Sequence, residues 1–397
     1  MKRVFLIILF VVAFGGAGIF ASDFGILIDG QFNAKGADET VSSGSLLLAP
    51  WFSAPLGTAD FFVSLGMNVT YKDSWFTVPE LLRLELAVRP SSSFAMRAGR
   101  IFWEDPSLFT AWGPFDGLEL FLDLGKSRFG AAALYTGLLY KDRALVNFNP
   151  GGADDYNAAF DWDNFENTYF AHRRFLAALY GEFPGLPYKR GQLYAGLLAQ
   201  FDLSGAEEPF HTQYLFLRNT LNYKRLDLSL AGAAELENTE AEGIKPAFAA
   251  AIEGGIKISY TLQDRFSLGL RWASGEGPNT AAFFPITREA QGVALRPALS
   301  GIMAVRANYE VLPFQSLTAE FGGRYFLRTD SGSFADKDIE NESYLLGAEV
   351  NASLLWAPLS DLSFSMAGGL FMPKTGKAMS DDANIRWFFS LETIFSF

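Results

Sequence analysis

The sequence ends with Asn384-Ile-Arg-Trp-Phe-Phe-Ser-Leu-Glu-Thr-Ile-Phe-Ser-Phe397. Counting back from the last residue in steps of two gives a set that is apolar except for one threonine: Phe397, Phe395, Thr393, Leu391, Phe389, Trp387 and Ile385. The intervening positions include Ser396, Glu392, Ser390 and Arg386. Because successive side chains of a strand point to opposite faces, this alternation predicts a β-strand with one apolar face and one largely polar face.

An aromatic-rich final strand that stops on phenylalanine resembles the C-terminal signal of bacterial outer-membrane β-barrels. The resemblance implies that the barrel-assembly machinery reads this strand, with Trp387, Phe389, Phe395 and Phe397 as the assembly signal. It also implies that lipid of the bacterial outer membrane surrounds the mature chain. The remaining sequence has to agree with this interpretation.

The composition suits alternating strands and excludes several kinds of site. The 397 residues are 49% hydrophobic, yet the mean hydropathy is only +0.12, and the chain contains 39 Phe and 38 Gly. There is no cysteine, and His172 and His211 are the only histidines, so we predict no disulfide, no metal site and no cofactor. The net charge of −12 argues against nucleic acid as a partner.

Residues 1–21 have the pattern of a secretory signal peptide. Lys2 and Arg3 supply the charged start, an apolar core follows, and a small-residue segment ends at Ala21, after which we expect cleavage. An uncleaved membrane anchor is the alternative interpretation. Removal of the leader would make the net charge −14 and leave 22–397 as the mature domain.

From residue 22 onward the sequence falls into alternating segments of about 10 to 14 residues, the length that a tilted strand needs to cross a bilayer. We predict an all-β, transmembrane, antiparallel up-and-down β-barrel of about 18 strands, with 16 as the alternative count. The predicted strands are 23–34, 44–54, 59–71, 76–88, 93–103, 114–123, 127–140, 172–183, 188–202, 211–223, 226–237, 246–260, 264–273, 301–311, 315–328, 343–356, 361–372 and 384–397.

The connections between these segments alternate in length. Every second connection is short and built from Pro, Gly, Asp or Ser, whereas most of the others are longer, including 141–171 and 274–300. Outer-membrane barrels have short turns on the periplasmic side and long loops on the outside. An even number of strands then puts both chain ends on the periplasmic side.

Closure of the sheet follows from the chemistry of lipid, which offers no hydrogen bonds to a backbone. Every N–H and C=O of a spanning strand therefore has to pair with a neighbouring strand. The competing interpretation, a soluble β-sandwich or β-solenoid, would need a second sheet to cover half of the apolar faces, and the sequence has no repeat of fixed period.

Apolar faces directed toward lipid send the charged residues of the strands inward. We predict that a group of arginines and glutamates lines the lumen: Arg83, Glu85, Arg97, Glu119, Arg128, Arg174, Arg190, Arg218, Glu253, Arg271, Arg306, Glu320, Arg324, Glu349, Arg386 and Glu392. A lipid-facing Arg or Lys near mid-membrane costs about 2–4 kcal/mol. A set of charged residues this large therefore cannot all face the lipid. Pairing between neighbouring strands, without a role in transport, is the alternative interpretation.

Two long loops carry further signals. The 141–171 loop contains Asp154, Asp155, Asp161, Asp163 and Glu166, which could bind divalent cations but are more typical of a solvated acidic loop. The 274–300 loop contains the apolar run 281–286, which gains nothing from exposure. We expect this loop either to fold into the mouth of the barrel or to pack on its neighbours.

The segment 97–118, with a Gly-Arg strand, an Asp-containing loop and Gly-x-Phe-Asp-Gly, resembles phosphate-selective and alginate-export porins. No nucleophile elbow, phosphate loop or zinc-protease motif is present, so we predict no enzymatic activity. The predicted function is a channel for diffusion of small hydrophilic solutes. The alternatives are a sealed barrel that acts as an adhesin or envelope structural protein, and an export or uptake channel for an anionic oligosaccharide. The oligomeric state stays open.

Overall fold

The computed structural model describes residues 22–72, 74–147, 160–205, 209–239, 243–259, 261–330, 332, 334, 336 and 338–397. The predicted signal peptide, 1–21, lies outside the described residues. Within them, no helix is long and apolar enough to span a membrane.

Eighteen antiparallel strands form one sheet in which sequential strands are neighbours. The strands are β1 Asp23–Gly36, β2 Thr40–Leu56, β3 Ala59–Lys72, β4 Ser74–Ser91, β5 Phe94–Glu104, β6 Trp112–Leu124, β7 Ser127–Tyr135, β8 Arg174–Pro184, β9 Gly191–Asp202, β10 His211–Tyr223, β11 Leu226–Thr239, β12 Gly243–Lys257, β13 Arg265–Ala273, β14 Ile302–Phe314, β15 Leu317–Arg328, β16 Leu345–Leu359, β17 Leu362–Met372 and β18 Arg386–Ser396. Short helices occur in connections: α1 Lys141–Ala144, α2 Phe165–Tyr169 and a 3₁₀ turn at Pro373–Thr375.

The first and last strands close the sheet into a barrel. They pair in antiparallel register from Leu27 opposite Ser396 to Gly36 opposite Trp387. The backbone N–H of Ile26 also donates to the carbonyl oxygen of Phe397, at 2.9 Å. The predicted fold class and strand number are therefore confirmed, and the C-terminal strand is the one that completes the wall.

Side chains alternate across the wall as the sequence predicts. In β9, Leu197 is 56% exposed whereas its neighbour Leu198 is only 1% exposed. Exposed large apolar residues recur on the same face of successive strands, for example Leu215, Leu230 and Ile252 on β10, β11 and β12. In a bilayer this outer face contacts hydrocarbon, so burial there needs no second protein layer.

Most connections at one end of the barrel are tight turns, such as 57–58 and 125–126, and the long loops lie at the other end. We number the loops in chain order, so that L3 is 105–111, L4 is 136–173, L7 is 274–301 and L8 is 329–344. The predicted strand 127–140 was too long: β7 ends at Tyr135, because the alternating residues after it pack inside L4 instead, where Leu139 is 2% exposed.

The wall contains a seam between β4 and β5. The two strands pair from Leu84 opposite Arg100 down to Ser91 opposite Phe94, and among the described residues no ladder joins them above that point. Gly99 lies at the upper end of the ladder with φ +114°, and a Cβ there would lie 2.0 Å from the carbonyl oxygen of Leu84. The backbone bends here, and the upper half of β4 leaves β5.

L4 fills this seam. The rings of Tyr140, Phe160 and Tyr169 pack against Val78 on the inner face of β4. On the other side, Arg100 forms a bidentate ion pair with Asp116 on β6, with both Nε···Oδ1 and Nη2···Oδ2 at 2.8 Å. By the register of β5 and β6 this pair lies on the outer face of the wall. L4 is therefore wedged between the inner face of one strand and the outer face of the next.

Side chains around the wedge satisfy the backbone groups that the seam leaves unpaired. Arg100 donates to the carbonyl oxygens of Leu81, at 2.6 Å, and Leu138, at 3.0 Å. The hydroxyl of Tyr169 donates to the carbonyl oxygen of Pro79, at 2.9 Å. Burial raises the pKa of the Tyr140 and Tyr169 hydroxyls, so both remain neutral donors. Buried carbonyl groups need such partners because an unmade hydrogen bond costs free energy.

Candidate functional site: the lumen between L3, L7 and the arginine wall

L7 folds into the barrel, one of the two arrangements expected for its apolar run. Phe283 and Ile286 are fully buried. Ile286 donates its backbone N–H to Thr110 of L3, at 2.6 Å, and Val146 of L4 forms an isolated bridge with Thr287. Three loops are thus linked inside the wall.

Two carboxylates of the wall hold L7. Glu235 on β11 accepts the backbone N–H of Phe284 at 2.8 Å, and the hydroxyl of Tyr214 donates to the carbonyl oxygen of the same residue at 2.6 Å. Farther along, Glu349 on β16 accepts three successive backbone N–H groups, those of residues 293–295. Both carboxylates are buried, with Glu235 0% and Glu349 1% exposed.

L3 forms a compact turn around a fully buried Asp105. Its carboxylate accepts the backbone N–H groups of Ser107, Thr110 and Ala111, at 2.7, 2.8 and 3.0 Å. A carboxylate with several backbone donors fixes a loop tightly, because hydrogen bonds to an ionised group are roughly twice as strong as neutral ones. The turn presents Ser107, Leu108 and Phe109 to the lumen.

A cavity of about 330 Å³ lies between the tip of L3 and the inner faces of β10–β14. Its charged and polar lining comes from the wall and includes Arg218, Asp227, Glu253, Arg265, Arg271 and Arg306. A smaller cavity of about 90 Å³ beside L7 is lined by Arg271, Arg306 and Arg324 together with Glu289 and Gln291. The two cavities share Arg271 and Arg306, so one row of guanidinium groups runs past both.

Carboxylates compensate most of these guanidinium groups. Arg265 lies 2.5 Å from Asp227 and 3.1 Å from Glu253, and Arg306 contacts the other oxygen of Glu253. Arg271 pairs with Glu289 of L7 at 2.8 Å, and Arg324 with Glu349 at 3.1 Å.

Arg218 differs from the others. Its Nε lies 3.5 Å from the hydroxyl of Ser229, and within the described part of the chain it forms no ion pair with a carboxylate. The lining of the larger cavity therefore has four guanidinium groups, from Arg218, Arg265, Arg271 and Arg306, against two carboxylates, from Asp227 and Glu253. The wall of this cavity carries a net positive charge, and the apolar L3 tip faces it.

The other residues that the sequence assigned to the lumen lie elsewhere on the inner face. Arg97 pairs with Glu119, which also accepts the hydroxyl of Tyr180; Arg83 pairs with Glu85; and Arg128 pairs with Asp123. Arg174 forms a buried pair with Asp202 at 2.9 Å, and Arg386 pairs with Asp336 and Asp338 of L8. Glu392 accepts the amide of Gln31, and Glu320 is cross-strand to Glu310. None of these nine predicted residues belongs to the cavity beside L3.

The structure corrects the predicted position of Arg190. It lies in the turn before β9, exposed, with its guanidinium 5.0 Å from the ring of Tyr223. The predicted strand 188–202 begins three residues before β9, so Arg190 lies at the rim and not in the lumen wall.

Sequence reasoning missed three contributors to the site. Arg265 shares the face of Arg271 on β13, and the same alternation could have identified it. Arg296 of L7 lies 5.1 Å from the ring of Phe388, and Ser107–Phe109 forms the L3 tip. Both depend on how a loop folds, for which alternation gives no signal.

The two other sequence predictions concern the acidic loop and the assembly signal. Asp154 and Asp155 lie outside the described residues, and among the residues described no group of three metal-ligating side chains is close enough to hold an ion. By their register, Trp387, Phe389 and Phe395 lie on the outer, apolar face of β18, and Phe397 follows as a 64% exposed terminus.

Comparisons with known proteins rest on structure alone, since no protein-family model and no curated protein matches the chain. Three Pseudomonas aeruginosa structures are similar over nearly their whole length. OccK5 (OpdH) is 12% identical, with a TM-score of 0.63 over 96% of this chain and 99% of that chain. OccK2 (OpdF) in complex with glucuronate is 12% identical, with a TM-score of 0.62 over 94% and 97%. The outer membrane protein OpdK is 12% identical, with a TM-score of 0.62 over 95% and 98%.

At this level of identity the likeness establishes the fold. It does not confirm the narrower resemblance of 97–118 to phosphate-selective and alginate-export porins. A closed 18-stranded barrel with an apolar outer face is an outer-membrane architecture. The chain therefore has the fold of the outer-membrane porins of the OccK and OprD type, and its location is the bacterial outer membrane.

Proposed function

We propose that the protein is an outer-membrane channel for small hydrophilic solutes and that it favours those carrying a carboxylate. The observation that supports this most directly is the cavity of about 330 Å³ between the L3 tip and the arginine row. A volume of this size is at the lower end of the range for small-molecule sites. Diffusion needs no bound cofactor and no reacting group.

The charge of the cavity supports an anionic solute. Arg218 has no carboxylate partner among the described residues, so its guanidinium is available for a bidentate contact with a solute carboxylate. The compensated arginines beside it hold their carboxylates in fixed pairs, which limits their attraction for cations. The Leu108 and Phe109 side chains on the facing loop give an apolar surface for the body of the solute.

The structural comparison also supports a solute that carries a carboxylate. OccK2 (OpdF), whose structure holds glucuronate, shares the fold, and glucuronate is a small hydrophilic carboxylate. An anionic oligosaccharide remains the related alternative, because it presents the same groups in series. Its passage would need a continuous path wider than one sugar unit past L3 and L7.

The experiment is single-channel recording in a planar bilayer, followed by reversal potentials in a salt gradient. We expect stepwise conductance with preference for anions, and interruption of the current by sodium glucuronate. Arg218→Glu changes the local charge by two units and should move the reversal potential toward cation selectivity by at least about 10 mV, with fewer glucuronate interruptions. Arg190→Glu, at the rim, is the matched control and should move it less.

The sealed barrel, acting as an adhesin or a structural protein, also has an observation in its favour. L3 and L7 contribute to the same buried interior, with Phe109 and Phe283 in one apolar cluster with the wall. Folded protein that inserts into the bilayer but shows no conductance steps at any voltage would favour this alternative and overturn the channel. Steps without a response to Arg218→Glu would keep the channel and overturn the assigned solute path.

A further inference from the structure

The contact between L7 and β16 has an unusual form. Glu349 Oε1 accepts the N–H of Val293 at 2.7 Å, and Oε2 accepts the N–H groups of Ala294 and Leu295, both at 2.9 Å. Arg324 on the neighbouring strand lies 3.1 Å from Oε1. A run of successive backbone N–H groups that converge on one anion is a backbone nest, a recurrent anion-binding arrangement.

The nest is built closely around the carboxylate. The Glu349 side chain is fully buried. A Cβ on Gly292 would lie 2.9 Å from Glu349 Oε2 and 2.8 Å from the ring of Phe326, so the residue before the nest has to be glycine. On the other side, Gly369 gives Val293 space, since a Cβ there would lie 3.0 Å from the Val293 Cβ.

Few other hydrogen bonds hold this part of L7. Gln291 donates its backbone N–H to Pro297 within the same loop, and its side chain lies near Arg271. In the described residues, the only backbone N–H groups of 292–296 with hydrogen bonds to the wall are the three that Glu349 accepts. The loop segment therefore depends on a single side chain for its polar attachment.

The residues just before this segment border the solute path. Glu289 and Gln291 line the small cavity with Arg306 and Arg324, and Arg296 of the segment itself lies 5.1 Å from the ring of Phe388. If 292–296 left the wall, the adjoining residues 289–291 would lose their support on that side, and the lining of the small cavity would change.

We propose that Glu349 is the clasp that holds the inward segment of L7, and that the nest at 293–295 with Arg324 is an anion site that the protein's own carboxylate occupies. Removal of this carboxylate opens a site for a small carboxylate from solution. The clasp is a positioning device, since Glu349 is buried and does not touch a passing solute. Its consequence for permeation rests on the proposed channel function, but the clasp itself does not.

The test uses the full chain in lipid vesicles with one reporter thiol. The protein has no cysteine, so Val293→Cys provides a unique site in the nest. In this background we expect Glu349→Ala to increase the rate of reaction with a maleimide by about tenfold or more, because three charge-assisted hydrogen bonds no longer oppose opening of the loop. Glu320→Gln, which removes a charge from the inner face of β15 without contact to L7, should leave the rate within about twofold.

Chemical rescue distinguishes an anion site from a general loss of packing. Acetate supplies the carboxylate and the one carbon beside it that Glu349→Ala removes, and it should return the maleimide rate toward that of the parent. Acetamide at equal concentration should not. If acetate and acetamide act alike, or if Glu349→Ala leaves the rate unchanged, the proposal is wrong.

Two further measurements keep the outcome decisive. Heat-dependent migration on a denaturing gel reports whether Glu349→Ala folds. If this variant does not fold, Glu349→Gln takes its place, since the amide keeps one acceptor oxygen. It should give a smaller but measurable increase in the maleimide rate, and no increase would overturn the clasp. Current recordings should show larger fluctuations for Glu349→Ala that acetate suppresses. A barrel that conducts no current but shows the rescue would overturn the channel and leave the clasp standing.

Discussion

L4 and L7 both enter the barrel, and they are fixed by different chemistry. L4 is seated in the seam between β4 and β5, where aromatic rings pack on Val78 and a buried ion pair closes the gap. L7 lies across the lumen and is tied to the wall by carboxylates that accept its backbone N–H groups. One loop replaces a missing piece of wall, whereas the other partly fills the space that the wall encloses.

The two kinds of attachment have different consequences. Ring packing in L4 is distributed over several contacts, such as Phe165 stacked on Tyr169 with ring centroids 4.6 Å apart. These contacts add to the free energy of unfolding of the barrel. Backbone-to-carboxylate bonds are few and directional, so one substitution can release the segment while the β-ladder stays paired. We therefore expect substitutions around L4 to lower the stability of the barrel, and those around L7 mainly to change the mobility of the loop.

The largest effect should come from Arg100→Ala. It leaves the Asp116 carboxylate without its bidentate partner and the carbonyl groups of Leu81 and Leu138 without a donor. Loss of one partner of a buried ion pair costs about 3–5 kcal/mol. Urea titration of the protein in lipid vesicles should show this decrease in the free energy of unfolding.

Arg128→Ala is the matched control for this loss, because its pair with Asp123 is 42% and 33% exposed. Exposed pairs contribute less than about 1 kcal/mol. Equal losses for the two variants would mean that the seam is not closed by the Arg100 pair.

A smaller loss is expected for Tyr169→Ala in the centre of the wedge. Tyr169 is 6% exposed, contacts four other rings and donates its hydroxyl to Pro79. Truncation of a buried aromatic ring typically costs about 3–5 kcal/mol, and we place this one near 3 because its neighbours can move into the space.

Trp162→Ala tests whether the burial of a ring determines how much stability its removal costs. Trp162 belongs to the same group of rings but is 58% exposed, so its loss should be below about 1 kcal/mol in the same urea titration. A larger loss for Trp162 than for Tyr169 would contradict the packing that the wedge shows.

The contrast between L4 and L7 also explains what the sequence could predict. Alternation against lipid repeats in every strand, so the strand count, the closure and the inward direction of most charges were accessible from the pattern alone. The apolar run in L7 indicated burial for the same reason. The pattern wrongly extends β7 over residues 136–140, because apolar residues such as Leu139 and Tyr140 resemble strand residues but are buried in L4.

Pair partners between distant segments were not accessible in this way. The pattern places Glu349 on the inner face, but its contact with residues 293–295 depends on where a loop more than 50 residues away folds. The seam is equally hidden, since β4 and β5 both have strand patterns and only the bend at Gly99 separates them. Arg218 looked like the other arginines, and only the structure separates it from the paired ones.

A smaller loss of stability than that of Tyr169→Ala is expected for Glu235→Ala, which removes the other anchor of L7. The substitution leaves the N–H of Phe284 without its acceptor, which costs about 1–3 kcal/mol. It also removes a fully buried carboxylate whose Oε1 has no hydrogen-bond partner among the described contacts, and this offsets part of the cost. We expect a net loss below about 2 kcal/mol in the urea titration.

Glu235→Gln separates these two contributions, because the amide keeps an acceptor for Phe284 and carries no charge. It should be at least as stable as the parent. In the Val293→Cys background, Glu235→Ala should raise the maleimide rate less than Glu349→Ala does, since it releases residues 283–284 and leaves the nest at 293–295 closed. A loss of stability as large as that of Arg100→Ala would mean that L7, like L4, is part of the wall, and the distinction between the two loops would fail.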